Sequence, residues 1–76
     1  MASATFTAII EYDGESGMYV GCVPELPGAF TQAPSLEALH ANLPEVAELV
    51  LADLAAHGEQ PRPHRFVGTH ELTVSL

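Results

Sequence analysis

The string Val23-Pro24-Glu25-Leu26-Pro27-Gly28 separates an apolar run from a helix-like stretch. Proline has no N–H for a sheet ladder and holds φ near one value. Two prolines three positions apart therefore rule out a central strand here. Glycine behind the second permits a turn. The segment is expected to be a stiff, exposed bend outside the ladder. It ends one strand and carries the chain into a short third one near Gly28–Ala33.

On either side the patterns are regular. In "TFTAIIEY", Phe6, Ala8, Ile10 and Tyr12 share one face by the strand period of two. Asp13-Gly14 and Gly17 bracket a hairpin loop, and "MYVGCV" returns with Met18, Val20 and Cys22 on one face. Ser35 is placed to cap a helix, with Glu37 in its first turn. Leu36, Leu39, Leu43, Val46 and Val50 form a stripe that Ala47, Leu51 and Leu54 widen. Burying those five would contribute about 7–15 kcal/mol before entropy is counted. Pro44 interrupts the pattern, yet the stripe stays in phase across it, so one kinked helix is expected. Gly58 marks its end. After the proline-rich link "GEQPRPHR", the segment "ELTVSL" alternates, with Leu72, Val74 and Leu76 on one face. It reads as a last strand.

The expected fold class is α+β, in the order β-β-β-α-β. One helix covers one face of an antiparallel sheet. With 76 residues the chain makes a single domain, 1–76, whose thin core leaves about 60–65% of the unfolded surface buried. Apolar residues make up 47% of the sequence, which excludes compositional disorder. No run reaches the roughly 20 apolar residues of a membrane span, and "MASATF" has no basic or apolar part of a signal peptide. The expected location is the cytoplasm.

Charge narrows the partners. Ten acids face two bases, Arg62 and Arg65, for a net charge of −8. Nine of the acids precede Arg62, and no Lys or Arg does. Such a surface repels phosphate backbones and anionic membranes. A basic protein is the better-matched partner, and Glu11, Asp13, Glu15 and Glu25 are the candidate acidic surface for it. Solubility alone is the plainer use of the same charges.

Catalytic patterns are sparse. Glu11 or Asp13, Glu37 and Glu71 are carboxylates that a Mg²⁺ site would draw on, but their spacing is unspecific. Glu11 is expected to point away from the Phe6/Ile10 face. His40, His57, His64 and His70 form no metal-binding pair spacing. Cys22 stands alone in a strand and reads as a small buried hydrophobe. No catalytic residue, metal ligand or cofactor is assigned, and the chain is not expected to be an enzyme.

Several motifs together resemble the HicB-like antitoxin family. They are Asp13-Gly14, Tyr19-Val20, Pro24-Glu25-Leu26-Pro27-Gly28, Thr31-Gln32, and the acid- and Ala-rich stretch Leu36–Leu54 with Asn42-Leu43. The likeness runs from about Thr5 to Pro63. It implies a partial ribonuclease-H-like fold and the acidic half of a toxin–antitoxin pair. The implied partner is a small basic HicA-like ribonuclease. Full-length members usually carry a C-terminal DNA-binding domain, for which a sequence ending at Leu76 is expected to have no room, and with the acidic surface this makes direct nucleic-acid binding unexpected. Two further functions stay open: a solitary self-associating domain, and a metal-dependent nuclease. Self-association is expected as a homodimer, with Leu72, Val74 and Leu76 at the interface or in the core beside it.

Overall fold

A computed structural model describes residues 3–76. The elements are β1 (Ile9–Asp13), β2 (Met18–Cys22), β3 (Phe30–Ala33) and α1 (Leu36–Ala56). The strands form one antiparallel sheet in the order β1-β2-β3. The α+β class and the order β-β-β-α are as the sequence indicates.

The hairpin joins β1 to β2 through Asp13, whose carboxylate oxygens accept the N–H groups of Glu15 and Ser16 at 3.3 Å each. Gly17, at φ 72°, donates back to the Asp13 carbonyl at 2.9 Å. Left-handed backbone at that corner lets the chain re-enter the sheet in register, pairing Asp13 with Met18.

The proline segment resolves into two turns that share Leu26. Leu26 N–H donates to the Val23 carbonyl and Ala29 N–H to the Leu26 carbonyl, both at 2.9 Å. Pro24 and Pro27 each take the second position of a turn, where their fixed φ fits. Gly28, at φ 88°, takes the third position of the second turn, which demands positive φ. A bond from Val23 N–H to the Ala29 carbonyl, 3.0 Å, closes the pair. The bend lies outside the strands, as expected, but it is not simply exposed. Pro27 and Gly28 face solvent, whereas Leu26 is only 1% accessible. Two turns in succession bring their shared corner inward, so Leu26 becomes a core residue with Val23, Ala29 and Leu54.

Helix α1 is capped at both ends. Ser35 is extended, and its Oγ accepts the Ala38 N–H at 3.1 Å. At the other end Gly58, φ 67°, donates to Ala55 and Glu59 donates to Leu54. That pair of bonds is a Schellman ending. Pro44 lies inside a single helix that continues past it. The apolar stripe is only partly used. Leu39 and Leu54 are buried, Leu43, Val46 and Val50 are half-buried, and Leu36 is exposed. The expected burial of five residues is thus too high, because one helix over a narrow sheet covers only its central turns.

The helix is also off centre. It packs over β2 and β3 and makes no Cα approach to β1 within 8 Å. Beyond α1 the chain forms no further strand among the described residues. Arg62 N–H donates to the Glu25 carbonyl at 2.7 Å, and the chain then runs past Thr7 and Ile9. The expected last strand, Leu72, Val74 and Leu76, has no ladder partner in the single chain, and all three side chains are exposed. The proline-containing link holds the backbone extended, and the segment leaves the body as an arm. The long axis is 49 Å against 26 and 21 Å, and the radius of gyration is 14.6 Å. A compact chain of this length would give about 11 Å.

Candidate interaction surface

Cross-strand register sorts the sheet into two faces, because residues opposite each other point the same way. Gly21 lies under Leu43 and Leu39, so its row, Ile10–Gly21–Thr31, faces the helix. So does the row Tyr12–Tyr19–Ala33, where the two tyrosine rings meet edge-on at 5.1 Å. The outer face holds the alternate rows: Ile9–Cys22–Phe30, Glu11–Val20–Gln32, and Asp13–Met18.

Among the described residues no element covers the centre of that outer face. Ile9, Met18, Val20 and Cys22 are half-buried and Phe30 is 58% exposed. Cys22 is a free thiol on this open face, not a core residue. Only one end is crossed by the chain after α1. There His64, Phe66 and Gly68 form a shallow cleft of about 320 Å³ with Thr7, Ile9 and Pro24.

Three of the four acids expected to meet a partner border this face. Glu11 and Asp13 lie on it at the β1 side, and Glu15 is in the adjoining hairpin loop; all are exposed. The Ser16 hydroxyl, with the N–H groups of Glu15 and Ser16, holds the Asp13 carboxyl below the usual carboxylate range. Asp13 therefore stays charged well into mild acid. Glu25 has another role. Its Oε1 accepts the Thr7 N–H at 3.2 Å, tying the approach to β1 onto the proline bend.

The carboxylates considered for Mg²⁺ do not converge: Glu37 is on the first turn of α1 and Glu71 on the arm. Among the described residues no group of three or more His, Cys, Asp or Glu side chains is placed to hold a metal. His40 borders a groove beside β1, His64 the outer cleft, and His70 is on the arm. His57 is the helix C-cap. Its Nδ1 donates to the Asp53 carbonyl at 2.8 Å and lies 3.6 Å from the Asp53 carboxylate. That carbonyl, then the carboxylate, pushes the His57 pKa up. No helix of the described residues is long and apolar enough to cross a membrane.

Sequence reasoning did not single out the outer face. The signal was present around β2, where Met18, Val20 and Cys22 are apolar on one side while Tyr19, and Val23 just past the strand, are apolar on the other. A strand apolar on both sides belongs to a sheet covered on both sides.

Comparison with known proteins places the chain. It is 46% identical over 69 residues to a UPF0150 protein of Thermotoga maritima, a match spanning 91% of this chain and 88% of that one. The chain belongs to the UPF0150 family. A second UPF0150 protein, from Synechocystis sp., is 32% identical over 74 residues, 97% of this chain and 100% of its own length. A third, from Archaeoglobus fulgidus, is 50% identical over 46 residues, covering 60% of this chain and 65% of that protein. No family model matches the chain, and no solved structure does.

Proposed function

We propose that this chain is a HicB-like, antitoxin-type interaction module. It acts in the cytoplasm by binding a small basic ribonuclease, not by catalysis. The observation that carries this reading is the outer sheet face, an uncovered apolar patch with carboxylates along one border. Interfaces of that build have an apolar centre that supplies affinity and a charged rim that steers the partner in. Val20, Cys22, Ile9 and Phe30 are the centre, and Glu11, Asp13 and Glu15 are the rim. Phosphate backbones are repelled by the same charges, so the chain itself binds no nucleic acid. The scaffold is read as a partial ribonuclease-H-like sheet that has its fourth strand only when Leu72–Leu76 pairs.

The test uses the product of the adjoining reading frame, expressed with and without this chain. Growth arrest by that product, relieved by this chain and restored by Glu11→Lys with Glu15→Lys, is the expected result. A neighbour that is harmless, or one relieved equally by the double variant, overturns the proposal. Mg²⁺-dependent RNA cleavage by the purified chain would support the nuclease reading instead.

A further inference from the structure

The arm and the body fit each other. Because α1 is shifted toward β3, the helix side of β1 is open, with Ile10 and Tyr12 exposed. A groove of about 560 Å³ runs there between β1 and the helix. Ala8 and Ile10 line it on one side, and Leu43, Pro44, Ala47 and Leu51 on the other. Alongside lies the outer edge of β1, whose backbone groups have no strand partner in the order β1-β2-β3. An unpaired edge beside an apolar trough is a template for one more strand. The arm carries what such a strand requires, three exposed apolar side chains at alternate positions, Leu72, Val74 and Leu76.

We propose that the arm of one copy adds to the free β1 edge of a second copy, with Leu72, Val74 and Leu76 filling that copy's groove. Two observations select a second copy as the occupant. First, the arm leaves its own body on the outer-face side, past Thr7, Ile9 and Pro24, whereas the groove is on the helix side. Pro61 and Pro63 hold the chain extended as it comes off the helix onto that side. Second, charge favours arm-on-body contact over any other mode of self-association. Residues up to Pro61 carry nine acids and no Lys or Arg, so two bodies repel. After them come Arg62 and Arg65 against a single acid, Glu71. Two arms and two grooves close a symmetric dimer in which both free β1 edges are paired. This contact uses the edge and helix side of β1 and leaves the outer face free.

Sedimentation of the full chain at about 50 µM tests it, a range suited to a dimer of modest affinity. The parent should be dimeric. Val74→Asp, at an exposed position, should weaken the dimer about tenfold or more, as loss of a buried valine implies. Pro44→Lys, which puts a charge at the groove without removing a core side chain, should do the same. Ile10→Lys is the second groove variant, and circular dichroism confirms that each is folded. A mixture of Val74→Asp and Pro44→Lys retains one intact arm and one intact groove. It should dimerise more tightly than either variant alone. A monomeric parent overturns the proposal, because the arm then closes on its own body or on nothing. Groove variants that leave the dimer unchanged overturn it in favour of arm-to-arm pairing. A mixture with no recovery overturns exchange.

Discussion

Gly21 and Leu43 set the distance between sheet and helix. A Cβ on Gly21 would come 3.1 Å from Leu43 Cδ2 and 3.5 Å from Leu39 Cδ2. The bare backbone of β2 is what lets α1 lie this close, and Leu39 is fully buried as a result. Leu43 is half-buried and can yield by a few tenths of an ångström, so Gly21→Ala should be mildly destabilising. Gly21→Val cannot be absorbed that way. It should cost about 1–3 kcal/mol by overpacking, measured by urea unfolding. A Val variant as stable as the parent would show that the helix does not press on this strand.

The two proline turns should fail in different ways. Leu26→Ala empties the corner they share and should cost about 2–5 kcal/mol. Gly28→Ala touches nothing, since no atom lies within 4 Å of a Cβ there. Its cost is conformational, about 1–2 kcal/mol for holding an L-residue near φ 88°. Urea midpoints of the two variants check the ranking. Equal stability of Gly28→Ala and parent would mean that the second turn is not of the type that requires positive φ.

The elements set by local chemistry were legible in the sequence. The Asp13–Gly17 hairpin, the Ser35 cap, the Gly58 ending and the short third strand each depend on residues within a few positions of one another. What was not legible depends on contacts across the fold. Nothing in Pro24-Glu25-Leu26-Pro27-Gly28 says that Leu26 is the side chain turned inward, because that follows from two turns sharing a corner. The helical stripe does not reveal that α1 is offset toward β3, which opens the groove at Ile10. The alternation in "ELTVSL" suggests a strand, but the segment forms none among the described residues, because pairing needs an edge within reach and alternation alone does not supply one. The acids of the outer face were visible as a set, yet the apolar patch they border was hidden because each strand contributes only one or two residues to it.

Two groups should make stability respond to pH, in opposite senses. His57 has its pKa raised by the Asp53 carbonyl and then the Asp53 carboxylate. Its contribution is therefore complete below the unfolded value near 6.5 and disappears as pH rises through the folded value. Asp13 has its pKa lowered, first by the Ser16 hydroxyl. Its contribution is present above the unfolded value near 3.8 and disappears as pH falls through the folded value. NMR titration should show Asp53→Asn lowering the His57 pKa only in part, since the carbonyl remains. Ser16→Ala should raise the Asp13 pKa toward the ordinary range. An unchanged Asp13 in that variant would assign the shift to the backbone N–H groups alone.

Pro44 is the one residue that works against its own element. It occupies the middle of α1, where its missing N–H leaves the His40 carbonyl without the usual partner and its ring crowds that turn. The helix persists because Leu39 and Leu43 before it, and Val46, Val50 and Leu54 after it, stay in phase against the sheet and the proline bend. The side chain itself is exposed, so replacing it removes no core contact. Pro44→Ala should therefore restore a helical bond and stabilise the single chain by about 1–3 kcal/mol, read as a higher urea midpoint. Pro44 also borders the groove beside β1. If its ring helps hold the arm of a second copy, Pro44→Ala should raise the stability of dilute, monomeric protein while loosening the dimer. The two effects separate on concentration, because only the second depends on it. A variant no more stable than the parent at the lowest measurable concentration would mean that the helix has already relaxed around the proline.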